Sequence, residues 1–169
     1  LQNDNTFTGG VRLSGGVTKV ASLSNAYQSY GALGNPGDAA GLFVMENGAE
    51  LNTTAAVQTN TPIKLQTAEG GVLNNASDFA MNAAFSGTRL TKKGAGWLKL
   101  YADNGALDTL TVEAGVLQSN VATPAKVLEL KGGSVDLNQG SNVAVHVPKG
   151  KTSVLNCFAD RCVYGNRLM

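Results

Sequence analysis

The chain has 169 residues, enough for one domain or a stretch of a larger repeat protein, and it can bury a sizeable core without a metal. Twenty-one glycines, only 15% charged residues and four prolines set it apart from average composition, and 43% hydrophobic residues exclude a disordered tract. Glycine does not recur at every third place, which excludes collagen, and a net charge of +1 gives no electrostatic case for nucleic acid or an anionic membrane surface.

No apolar run reaches about eighteen residues, so the segment offers no transmembrane helix, and no charged start followed by a short apolar stretch marks a signal peptide. The chain opens at Leu1 without methionine and ends at Met169. It reads as a mature product or as an excised segment of a longer protein.

In chain order, Gly9-Gly10 and Gly15-Gly16 bracket a strand at Val11-Arg12-Leu13. Ser24 to Gly41, with Tyr27, Tyr30, Gly31, Gly34 and Asn35-Pro36-Gly37, carries dense turn chemistry and is expected to be a loop extruded from the main body. A repeating unit then begins: a short alternating strand, a glycine turn, and a second short alternating strand. It reads Leu42 to Met45, Asn47-Gly48, Ala49 to Leu51, and then Ile63 to Gln66, Gly70-Gly71, Val72-Leu73. It returns as Leu110 to Glu113, Gly115, Val116-Leu117, and as Leu128 to Lys131, Gly132-Gly133, Ser134 to Leu137, with a fainter copy at Leu98-Lys99-Leu100. The turn glycines at 48, 70, 94, 115 and 132 are 22, 24, 21 and 17 residues apart.

Alternation buries one face of each strand, so Leu128 and Leu130 point inward while Glu129 and Lys131 meet water. Strands this short are unstable alone. A glycine turn every twenty or so residues therefore suits an all-β solenoid whose turns stack as parallel strands roughly 4.8 Å apart, about eight turns in all. No linker divides the chain: residues 1–153 are read as solenoid rungs and 154–169 as a capping segment of the same domain. In that segment Val154-Leu155 and Val163-Tyr164 read as a hairpin that a Cys157–Cys162 disulfide would close, placing the protein in an oxidising compartment. A zinc half-site and two free thiols stay open as alternatives.

The run Leu90-Thr91-Lys92-Lys93-Gly94-Ala95-Gly96-Trp97-Leu98-Lys99-Leu100, followed by Leu110-Thr111-Val112-Glu113-Ala114-Gly115-Val116-Leu117, resembles the strand repeat of bacterial autotransporter passenger domains. Asn5-Thr6-Phe7-Thr8-Gly9-Gly10 is similar to that family's spacer, and Gly31-Ala32-Leu33-Gly34 with Leu42 to Leu51 is similar to a further element. Asp103-Asn104-Gly105 makes a shorter turn than the family's spacer. The resemblance implies a right-handed parallel β-helix, secreted or held at the surface of a Gram-negative cell by a C-terminal translocator barrel that this chain lacks. It implies no catalysis and no cofactor.

Catalytic constellations are sparse. His146, the sole histidine, lies opposite Val143, Val145 and Val147 and reads as a solvated strand residue. There is no Gly-x-Ser-x-Gly elbow and no phosphate-cradling loop ending in Lys-Ser or Lys-Thr. Glu46, Glu69, Glu113 and Glu129 each stand shortly before a turn glycine, but their offsets differ, so they read as dispersed surface carboxylates rather than a calcium column. Arg89, Lys92, Lys93 and Lys99 form the densest basic cluster, a solvated turn that could also attract sulfated or sialylated glycans. Trp97 and Tyr101 alternate with Leu98 and Leu100 and should face outward around Lys99, either as a sugar-stacking platform or covered by the Ser24 to Gly41 loop. The expected ligand contacts are therefore Trp97, Tyr101, Lys99, Lys92 and Lys93. The expected partners are a host-surface or matrix glycan or protein, or a second copy of the chain. The expected function is a non-enzymatic passenger segment serving as adhesin, self-association surface or stalk, with a polysaccharide-cleaving β-helix enzyme as the alternative.

Overall fold

The computed structural model describes residues 3–24, 30–35, 43–158 and 163–165, with the backbone alone at 142 and 163–165. The first turn of chain holds β1 (Val11–Ser14) and β2 (Val17–Val20). The second holds β3 (Phe43–Glu46), β4 (Ala49–Thr53) and β5 (Val57–Thr59), and the third β6 (Ile63–Leu65), β7 (Gly71–Asn75) and β8 (Phe79–Met81). In the fourth, β9 (Phe85–Lys93) runs through two sides of the coil before β10 (Trp97–Leu100). Then come β11 (Leu107–Val112) with β12 (Val116–Ser119), β13 (Val127–Leu130) with β14 (Ser134–Leu137), and β15 (Asn142–His146) with β16 (Val154–Cys157). The last described strand is β17 (Val163–Gly165).

All pairing between these strands is parallel and joins one turn to the next. One sheet runs β1-β3-β6-β9-β11-β13-β15-β17, with β2, β4 and β7 joining it through β9, and the second runs β5-β8-β10-β12-β14-β16. The six strands of the second sheet mark six turns, and the first sheet extends one strand beyond at each end. The fold is a parallel β-helix, and the described residues include no helix.

Parallel partners must come back into register once per turn, whatever length of chain the corners use. Phe43 pairs with Ile63 and Ile63 with Phe85, and on the second sheet Leu98 pairs with Leu117 and Leu117 with Val135. Inward positions therefore stack: Phe79, Leu98, Leu117 and Val135 form one fully buried column, continued by Val57 above and Leu155 below. Burying one such side chain stabilises the fold by about 1.5–3 kcal/mol. The strands gain this only as a stack, since three or four residues bury nothing alone.

The glycine spacing has a structural cause. Asn47-Gly48 joins β3 to β4 and Gly70 precedes β7, at one corner of the coil, whereas Gly94, Gly115 and Gly132 follow β9, β11 and β13 at the next corner. All five have positive φ. The long interval from Gly70 to Gly94 is the step from one corner to the other, taken where β9 runs straight through the first corner.

Two expectations need correction. The segments around Val154 and Val163 are not a hairpin: β16 pairs with β14 on the second sheet and β17 with β15 on the first, so they occupy different sides of the coil. The ladder partners of both lie in the preceding turn, and on β16 Leu155 continues the core beneath Val135. The loop expected to be extruded also differs in its described part. Ala32 and Leu33 are buried, Gly31 bridges Gly34, and the backbone of Gly31 and Ala32 accepts hydrogen bonds from Asn5. Ala32 and Leu33 close over the first turns instead of projecting, while Tyr30 is exposed and Tyr27 lies outside the described residues.

Gly70 tests the corner. Its φ is +62°, and a Cβ there would sit 1.9 Å from the carbonyl oxygen of Arg89 in the next turn, whereas Gly16 (φ +70°) has nothing within 4 Å. Urea denaturation should show Gly70→Ala losing roughly 3 kcal/mol or more and Gly16→Ala only about 1 kcal/mol, the bare left-handed penalty.

Candidate functional site

The outward row of β10 is where the sequence placed its aromatic pair. Leu98 and Leu100 are fully buried, while Trp97 and Tyr101 are 38% and 52% exposed. Between them the Nζ of Lys99 donates to Asp78 Oδ2 at 2.6 Å and stands 5.6 Å from the centre of the Trp97 ring. The hydrogen bond to Asp78 raises the ammonium's pKa above its ordinary value, against a smaller opposing effect of desolvation.

In-register stacking extends this row along the rod. Lys99, Gln118, Asp136 and Asn156 are successive register partners on the outer face. The residues that follow each strand form a parallel column: Tyr101, Asn120, Asn138 and Phe158 each donate a backbone N–H to the preceding turn. Asn138 Nδ2 also donates to Asn120 Oδ1 at 2.9 Å, and Asn156 Nδ2 to Asp136 Oδ1 at 2.8 Å. The sequence reading missed the amides and Phe158. The signal was there, since one residue past the second-sheet strand of successive turns the chain reads Asn60, Asn82, Tyr101, Asn120 and Asn138.

The basic cluster does not exist as a patch. Arg89 pairs with Glu129 at 3.1 Å, Lys93 lies 3.9 Å from Glu113, and Lys99 is on the second sheet with Asp78. Lys92 is inside the coil, in register between Leu73 and Val112 and fully buried, so its expected ligand contact is ruled out. Alternation explains this, because Lys92 is two residues from the inward Leu90. Its Nζ donates to the carbonyl oxygens of Lys93 (2.8 Å), Gly94 (2.9 Å) and Ala114 (3.2 Å). The missing Cβ of Gly115 makes room, since one built there would lie 2.8 Å from the ammonium. Burial lowers the pKa of Lys92 to about 8.

The carboxylates are dispersed among cations. Glu46 pairs with Arg12 at 2.6 Å, and Glu129 with Arg89 and with Lys131 at 3.1 Å, while Glu69 is exposed. Desolvation would raise the pKa of Glu129, but hydrogen bonds from Lys131 and Thr111 outweigh it and hold the carboxyl below its usual value. Glu129 also has the Nδ1 of half-exposed His146 3.9 Å away. Among the described residues no three acids, cysteines or histidines come together as a metal site would require. A cavity of about 10 Å³, lined by Leu23, Leu33, Phe43 and Ile63 among others, has room for about one water. Cys157 ends β16 in register with Leu137, and Cys162 lies outside the described residues.

The passenger-associated-transport-repeat family model matches residues 1–20 and 90–118. Both stretches are similar to that repeat. The second spans the end of β9 through β12, the stretch on which the resemblance was read. The turn whose spacer is shorter than the family's holds register nonetheless. The buried Asn104 accepts the Phe85 N–H at 2.6 Å and donates to Ala102 O at 2.7 Å, fixing that corner. No curated protein and no solved structure matches the chain.

Lys92 yields a signed pH dependence. Between pH 8 and its ordinary value of 10.5 the unfolded chain keeps a proton that the folded chain has released, so stability rises with pH through that window and the gain is lost as pH falls through 8. Chemical denaturation should show native stability rising on the order of 3 kcal/mol relative to Lys92→Met across this range.

Proposed function

We propose that the chain is a non-enzymatic segment of a passenger β-helix, exported to the cell exterior and acting through its long outer faces in adhesion, self-association or as a stalk. One observation carries this reading. The outward side chains form flat in-register columns along two sheets, with acids and bases consumed in pairs instead of converging in a groove. A rod of this kind gains strength by repeating shallow contacts along its length. The passenger repeats support export and surface exposure, with anchoring by a translocator barrel carried elsewhere in the full-length protein. Its partner is a surface or matrix glycan or protein, or another copy of the rod.

Glycan-array and cell-aggregation assays on the purified chain test this proposal. Binding or clumping without loss of polymer viscosity is the expected result, and rapid loss of viscosity would replace it with a polysaccharide-cleaving enzyme. The proposal also pairs Cys157 with Cys162. The oxidised chain should then be two hydrogens lighter than the reduced chain and melt at a higher temperature, whereas identical masses and melting curves would remove the pairing.

A further inference from the structure

We propose that the outer face of the second sheet binds an extended neutral polysaccharide, with Tyr101 and Phe158 as stacking platforms along the rod axis and Trp97 and Tyr101 as platforms across it. This deepens the adhesive reading and rests on it. Trp97 and Tyr101 stand on the same side of β10, four residues and therefore about 13 Å apart along the strand. Phe158, 68% exposed, lies in the Tyr101 column three strand spacings away, about 14 Å along the axis. In the interval between them Asn138 Nδ2 donates to Asn120 Oδ1 and Asn120 Nδ2 is buried, so the outward amides of this face are those of Gln118 and Asn156 in the adjacent column.

Three features choose the ligand class. The charge of Lys99 is already met by Asp78 at 2.6 Å, so the face holds no free cation of β10 for a sulfate or carboxylate. The outward amides of Gln118 and Asn156 both donate and accept, as sugar hydroxyls do, which suits a ligand whose groups are all neutral and two-way. The exposed rings stand apart, separated by Lys99 and by the amides. They do not pool into the desolvated apolar centre that a protein–protein interface needs, while each ring can cover the C–H face of one sugar. The ion pair and the contact of Lys99 with the Trp97 ring fix the platform before binding, which lowers the ordering cost.

Affinity electrophoresis of the purified full chain in gels containing hydroxyethylcellulose, galactomannan or heparin tests the assignment. At least one neutral polymer should retard the chain, with little change on adding salt. Trp97→Ala and Tyr101→Ala should each weaken retardation roughly tenfold, and Phe158→Ala should weaken it as well. Lys64→Ala, on the outer face of the first sheet, should leave it unchanged. Trp97→Phe keeps a ring and should retain most of the binding, separating stacking from a folding defect, and an unchanged urea midpoint makes the same check for each variant. Retardation by heparin alone, or by no neutral polymer, overturns the assignment. So does a wild-type dimer in sedimentation that these substitutions dissolve, which would assign the face to a second copy. If the chain still binds cells or glycans and the three ring variants have no effect, the assignment fails while the adhesive reading stands. Loss of every binding and clumping activity in the wild-type chain removes both.

Discussion

Register between successive turns is the constraint on which the rest of this molecule depends. A parallel strand of three or four residues satisfies its backbone groups only through the turn before and the turn after, so each turn must return the chain to the same place. That requirement brings Phe43, Ile63 and Phe85 into line, and it also lines up what faces outward. Core columns and surface columns are two sides of one ladder. A substitution that shifts a corner would move both.

The corners show how the ladder accommodates turns of different length. On the early turns the chain breaks twice, at Asn47-Gly48 and again after Thr53, whereas β9 and β11 pass through the first corner unbroken and turn at Gly94 and Gly115. Side chains complete corners as well. Asn104 takes up the Phe85 amide, and the ammonium of Lys92 gathers three carbonyls at the second corner. The lysine is the costly solution. Its desolvation is offset by those carbonyls but not by any carboxylate, and the lowered pKa is the physical trace of that imbalance.

On the outside, the same stacking separates two kinds of surface. The first sheet carries interlocked ion pairs centred on Glu129, which gathers Arg89, Lys131, Thr111 and His146 across several turns. The second sheet carries amides, isolated rings, one internal ion pair and the carboxylate of Asp136, which accepts from Asn156. The first pattern braces neighbouring turns through charges and the second through amide hydrogen bonds, with its rings left exposed. The difference makes the second sheet the more suitable face for a ligand.

The sequence by itself determined the class of fold and the facing of most strands. Alternation in Leu128 to Lys131 and in Trp97 to Tyr101 is a local property, since a strand turns each side chain opposite to the last whatever surrounds it. The same alternation already contained the burial of Lys92 beside Leu90, although its charge argued for the surface. Local chemistry could not say which residues about twenty apart become neighbours, because turn length varies and a single residue of slip changes every partner. Only the tertiary structure assigned the glycines to two different corners, separated β16 and β17 onto different sheets, and set Tyr101 and Phe158 in one column. Those outcomes are fixed by hydrogen bonds between turns, and no single turn of the sequence contains both partners.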